Sequence, residues 1–126
     1  MDLSVFDQLK AGDFLYVDGS HCCFQNSDVT VIFLEILPDL KPGVIVEFHD
    51  ILLPYDYPTI WKERYYSEQY LLAVCLLTNP EKYKILQPNS FISSDPELGH
   101  ILDPLWDKIN LKKTERHGGS FWIQIN

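Results

Sequence analysis

The chain has 126 residues, 46% hydrophobic and 22% charged, which suits one modest domain with its own core and not a disordered segment. A formal charge of -8 with no basic stripe argues against nucleic-acid binding by phosphate neutralisation. No apolar run approaches the roughly 20 residues that cross a bilayer.

The N-terminus, "MDLSVFDQLKAGD", lacks the charged leader and apolar core of a signal peptide. "DFLYVD" (13–18) is a short aromatic and β-branched run between Gly12 and Gly19, and it predicts a buried strand. Cys22, Cys23 and Cys75 make neither a disulfide framework nor a zinc spacing, so they read as reduced thiols of a cytoplasmic protein. In "NSDVTVIFLEILPDLKPG" (26–43), Val29, Ile32, Phe33, Ile36, Leu37 and Leu40 fall on one helical face. Asn26 or Ser27 caps the start, Pro38 disturbs the last turn and Pro42-Gly43 stops it.

"VIVEFHD" (44–50) predicts a second strand. "LLPYDYPTIWKERYY" (52–66), rich in proline and aromatics, reads as an irregular loop with a short helix. "SEQYLLAVCLLTN" (67–79) predicts a helix capped by Ser67, apolar on nearly all sides and hence buried. Glu68 and Gln69 open that helix, and their types suit capping it. "KYKILQP" (82–88) is a strand, and 95–109 a loop with helical turns in which His100 reads as a surface residue. Lys112, Lys113 and Arg116 form a solvated face, and His117 is a surface residue too. Gly118-Gly119 makes a turn into a final strand, with Phe121, Ile123 and Ile125 alternating.

The strand–helix–strand unit over 13–50 has a crossover long enough to return in parallel. The expected class is therefore α/β. In such sheets ligands bind beyond the carboxyl ends of the parallel strands. Asp18 closes the first strand and His49 and Asp50 the second, with His21 in the loop above the same edge. Carboxylates with an imidazole could hold a hard cation such as Mg. His21 could instead be a general base. Both stand against plain turn chemistry, since "DG" is a common turn dipeptide.

At these residues the chain resembles the class I S-adenosylmethionine (SAM) methyltransferases, near the small-molecule and sugar O-methyltransferase branch. The matching stretches are "LKAGDFLYVDGSH", "LEILPDLKPGVIVEFHDILLPYDYP", "WKERYYSEQYLLAVCLL" and "GGSFWIQI". The resemblance implies a partial Rossmann-like sheet: two parallel strands, a C-terminal antiparallel pair and helices on the faces. It implies His21 as the base acting on an acceptor hydroxyl. Asp18, also a cofactor contact, His49 and Asp50 would form the metal set for Mg, His49 standing where the family has an acid. The family's SAM site is built mainly from a preceding half with a glycine-rich loop, and no G-x-G pattern occurs here. Residues 1–126 thus read as one truncated methyltransferase-like domain lacking the SAM-binding half, so SAM binding by this chain alone should be weak or absent. The edge at 14–17 would then be bare and would invite a second copy or a partner chain. The expected partner besides is a small-molecule acceptor, with neither nucleic acid nor membrane. The alternative reading is a non-catalytic fragment or interaction module. A metal-binding hydrolase using the same four residues ranks behind both, because no nucleophile elbow such as G-x-S-x-G is present.

Overall fold

A computed structural model describes residues 2–126. A four-stranded mixed sheet in the order β1-β2-β4-β3 organises it, with β1 Phe14–Val17, β2 Ile45–Phe48, β3 Tyr83–Pro88 and β4 Phe121–Ile125. β1 and β2 are parallel, as the long crossover requires, and β4 runs antiparallel to both β2 and β3. The expected parallel pair and C-terminal antiparallel pair are both present, and they are joined into one sheet because β4 inserts between β2 and β3. Both strands of the first unit end earlier than predicted, β1 by one residue at Val17 and β2 by two at Phe48. The parallel ladder still reaches one step further through His49 N–H to the Val17 carbonyl, 2.9 Å.

The predicted 26–43 helix is continuous from 28 to 39 but changes its winding. α1 (Asp28–Val31) passes into a π-helical turn at Ile32–Ile36 and a 3-10 turn at Leu37–Asp39. Ser27 is the cap, its hydroxyl accepting the Thr30 N–H at 3.1 Å. The tight last turn contains Pro38, which has no N–H to give an i→i−4 bond. Gly43 follows at φ 86, and a Cβ there would stand 2.5 Å from that of Ala11. Its N–H donates to Ile125 and its carbonyl accepts from Gly12, so this turn is bonded to β4 and to the loop before β1.

Register fixes which side chains meet. Val17, Phe48 and Phe121 lie in line across the sheet, as do Leu15, Val46 and Ile123. This face holds the core, against Val29, Phe33, Ile36 and Leu37 of the helical segment and Leu72 of α2 (Glu68–Thr78). Phe33 stacks on Phe48 with ring centroids 5.3 Å apart. The long helices were expected on the faces of the sheet; these two both contribute to the one core face. The opposite face carries Phe14, Tyr16, Glu47 and Trp122, with Phe14 63% and Tyr16 60% exposed. β1 pairs with β2 alone and so lies at the sheet's edge.

α2 departs from its predicted burial. Leu72 is fully buried, but Val74 and Leu77 face solvent, so its apolar character is not matched by burial all round. Ser67 occupies the cap position without capping; its hydroxyl accepts the Cys23 N–H instead, at 2.7 Å. The 52–66 loop contains the short helix expected of it, a 3-10 segment at Thr59–Arg64. The 82–109 region adds α3 (Asn89–Ser94), which the sequence reading missed, and α4 (Asp103–Trp106). His100 pairs with Asp103 and His117 with Glu115 in exposed positions, and Arg116 joins Asp103 and Asp107. The three cysteines are free. Among the described residues no helix is long and apolar enough to cross a membrane.

Candidate functional site

The chain emerges from β1 at Asp18, turns through Gly19 and Ser20, and drops back into the protein at His21. Asp28 holds that turn. Its carboxylate accepts the Ser20 N–H at 2.7 Å and the Ser20 hydroxyl at 2.5 Å. A Cβ on Gly19 would stand 2.0 Å from Asp28 Oδ2, so the loop closes this tightly only over glycine. His21 has φ 56, in the left-handed region, and Asp50 at the end of β2 has φ 52. Two non-glycine residues in that region, facing each other, mark backbone held by its surroundings.

His21 is 3% exposed and forms the centre of the cluster. Its Nδ1 lies 2.8 Å from Glu68 Oε2. Its Nε2 lies 3.4 Å from Asp18 Oδ1 and 4.0 Å from Asp50 Oδ2. The Tyr66 ring leans over the imidazole, centroids 4.6 Å apart. The Glu68 hydrogen bond raises the His21 pKa above the ordinary imidazole value, against burial, with the charges of Glu68, Asp50 and Asp18 adding to the rise. The ends of β1 and β2 therefore do converge, bringing Asp18, His21 and Asp50 together.

His49 points elsewhere. Its Nδ1 is 3.6 Å from Glu47 Oε1 and its Nε2 3.9 Å from Asp50 Oδ1, and its ring stands 6.0 Å from that of Tyr16. Asp50 thus links the two imidazoles. Arg64 approaches the same carboxylate, Nη1 to Oδ2 4.0 Å, while its guanidinium lies 4.3 Å above the Trp61 ring. That stacking holds a cation at the mouth of the cluster. Of the aromatic residues of the 52–66 loop, Trp61 and Tyr66 pack around Tyr57, and Tyr65 projects into solvent.

Asp18 and Asp50 are the oxygen donors a hard cation would take, 3.4 and 4.0 Å from His21 Nε2. Among the described residues no group of three His, Cys, Asp or Glu side chains stands at metal-ligand spacing. A cation here would rest on two carboxylates and complete its shell with water or acceptor oxygens, which Mg accepts.

Glu68, Tyr66 and Arg64 are the members of the cluster that sequence reading did not place. Glu68 lies 47 residues from His21, beyond any local spacing rule, and capping was its expected role. Gln69 does not cap either: its side-chain oxygen accepts the Leu52 N–H at 3.1 Å and its amide reaches the Tyr55 carbonyl, tying the aromatic loop to α2. Glu47 was not singled out within its apolar strand, and it is buried with neither carboxylate oxygen hydrogen-bonded. No family model, curated protein or solved structure matches the chain.

Proposed function

We propose that this cluster serves SAM-dependent methyl transfer to a hydroxyl of a sugar or other small molecule, with His21 as general base and Asp18 and Asp50 as acceptor or Mg contacts. The observation that carries the reading is the buried imidazole whose Nε2 faces two carboxylates at the ends of parallel strands while its Nδ1 is held from behind. A hydroxyl lying between Asp18 and Asp50 would present its proton to Nε2, within the hydrogen-bond reach a base requires. SAM, when bound, supplies an electrophilic methyl group to the oxygen so exposed. Because three carboxylates favour the imidazolium form, a cation beside Asp18 and Asp50 would offset part of that field and favour the neutral ring that accepts the proton.

The antiparallel final strand, inserted beside the second parallel strand, agrees with the partial Rossmann-like sheet that the resemblance implies. In this proposal the free edge of β1 is where a SAM-binding half would pair. By this reading calorimetry of the chain alone finds no micromolar SAM affinity, and such an affinity would overturn the truncated-site reading. The site itself is tested by Mn titration, read as paramagnetic broadening of the Asp18, His21 and Asp50 resonances. Broadening abolished by Asp18→Ala supports cation binding, and broadening unchanged by it removes Asp18 from the site. Labelled methyl transfer to a panel of hydroxyl acceptors, with the completing chain present, should fall about 10²–10⁴-fold in His21→Ala, the usual range for loss of a positioned base.

The second reading is an interaction module. It is favoured by the exposed Phe14 and Tyr16 on an edge strand, a feature that invites strand pairing whether or not chemistry occurs.

A further inference from the structure

His21 is bound twice to the start of α2. Its carbonyl accepts the N–H groups of Ser67, at 2.8 Å, and Glu68, at 3.1 Å. It thereby satisfies two of the donors that a helix N-terminus leaves open, in place of the cap that Ser67 does not provide. Its ring then meets the Glu68 carboxylate through Nδ1 at 2.8 Å. Main chain and side chain of one residue are thus both fixed by another.

Glu68 is 1% exposed and its second oxygen, Oε1, has no partner. An ionised carboxylate only accepts hydrogen bonds, and Glu68 Oε2 meets Nδ1 at 2.8 Å. The proton in this bond therefore sits on Nδ1. Asp18 competes for it from the other side of the ring, since its oxygen would hold a proton on Nε2, but it stands at 3.4 Å against 2.8 Å for Glu68. The shorter, buried contact wins.

We infer that Glu68 is the positioning residue of His21: it fixes the neutral ring as the Nδ1–H tautomer and leaves the Nε2 lone pair directed at Asp18 and Asp50. The inference rests on the proposed role of His21 as base, because only that role needs a lone pair on Nε2. Without Glu68, Asp18 would draw the proton to Nε2 and turn the accepting nitrogen towards the interior, where no acceptor hydroxyl can reach it. The tautomer is thus set by a residue on the far side of the ring from the chemistry.

The test is ¹⁵N NMR of the imidazole ring at a pH where it is neutral, which reads the tautomer directly and needs no acceptor or cofactor. In the unmodified protein His21 Nδ1 should resonate in the protonated range and Nε2 in the unprotonated range. In Glu68→Gln, which keeps length and packing, the two should exchange ranges or merge towards an average. A role confined to packing would leave the shifts unmoved. An Nε2–H tautomer in the unmodified protein overturns the inference even if every variant fails to fold. Unmoved shifts in a folded Glu68→Gln overturn it too. Failure of methyl transfer in the acceptor assay would leave the tautomer result standing, so the two readings fail separately.

Discussion

Replacing Glu47 by leucine should stabilise the fold at neutral pH. Glu47 sits in the middle of β2, paired across the sheet with Tyr16 and Trp122, and both of its oxygens are buried without a hydrogen bond. Burial pushes its pKa above the ordinary carboxylate range; His49 pulls the other way, and Asp18 and Asp50 push it up again. A raised folded pKa means that the native state holds a proton which the unfolded state has released, so stability falls as pH climbs from the unfolded value through the folded one. Above that window the wild type carries the full penalty, and below it both states are protonated and the part due to charge disappears. An unsatisfied buried polar group costs about 1–3 kcal/mol, and at this chain length each kcal/mol moves Tm by roughly 4 °C. Leucine is similar in volume and leaves no polar atom beneath the Tyr16 and Trp122 rings. Thermal melts from pH 4 to 8 should show a gain near neutrality that shrinks towards pH 4. A leucine variant no more stable than wild type at pH 7.5 refutes the reasoning, and a gain independent of pH assigns it to packing rather than to charge. Glu47→Gln should gain less, because its amide is also left without a partner.

Phe48→Ala removes a fully buried ring stacked on Phe33 and should cost about 3–5 kcal/mol in urea unfolding; a loss under 1 kcal/mol would mean that the core collapses into the space. Gly19→Ala forces Asp28 away from Ser20 and should cost about 1–3 kcal/mol, with the Ser20 amide exchanging faster; an unchanged Tm refutes that account of the turn. Ile45 and His49 donate to the carbonyls of Asp13 and Val17, so the Phe14 and Tyr16 amides point away from β2. They should exchange freely in a monomer and slow with concentration if a second copy pairs there. Sedimentation as a monomer with slow exchange at both amides would count against an open edge.

Periodicity carried much of the fold. The β-branched and aromatic runs gave β1, β2 and β4, and the apolar face from Val29 to Leu40 gave the helical segment, because each signal is local. The site was half legible for the same reason. Asp18, His21 and Asp50 flank two strands whose parallel pairing follows from crossover length, so their meeting could be anticipated. Glu68 could not be, since its contact with His21 depends on how α2 docks, which no spacing records. α2 misled in a second way: its run of apolar residues suggests burial all round, yet Leu77 is 82% exposed. His49 was grouped with the metal set by adjacency to Asp50, but β2 has ended by then: the left-handed backbone at Asp50 brings its carboxylate towards His21, while the His49 ring stands beside Glu47 and Tyr16.

The place of β4 sets an order of events during synthesis. β3 has no ladder with β2; its strand partner is β4, which is also the other neighbour of β2. β4 is made after both of the strands it joins, so while residues 1–120 leave the ribosome β1 and β2 can pair but β3 cannot. The nascent chain must carry β3 without its strand partner until Phe121–Ile125 arrives. Chains stalled on the ribosome before residue 121 should therefore be cut readily by protease within 80–95 and become resistant there once β4 has emerged.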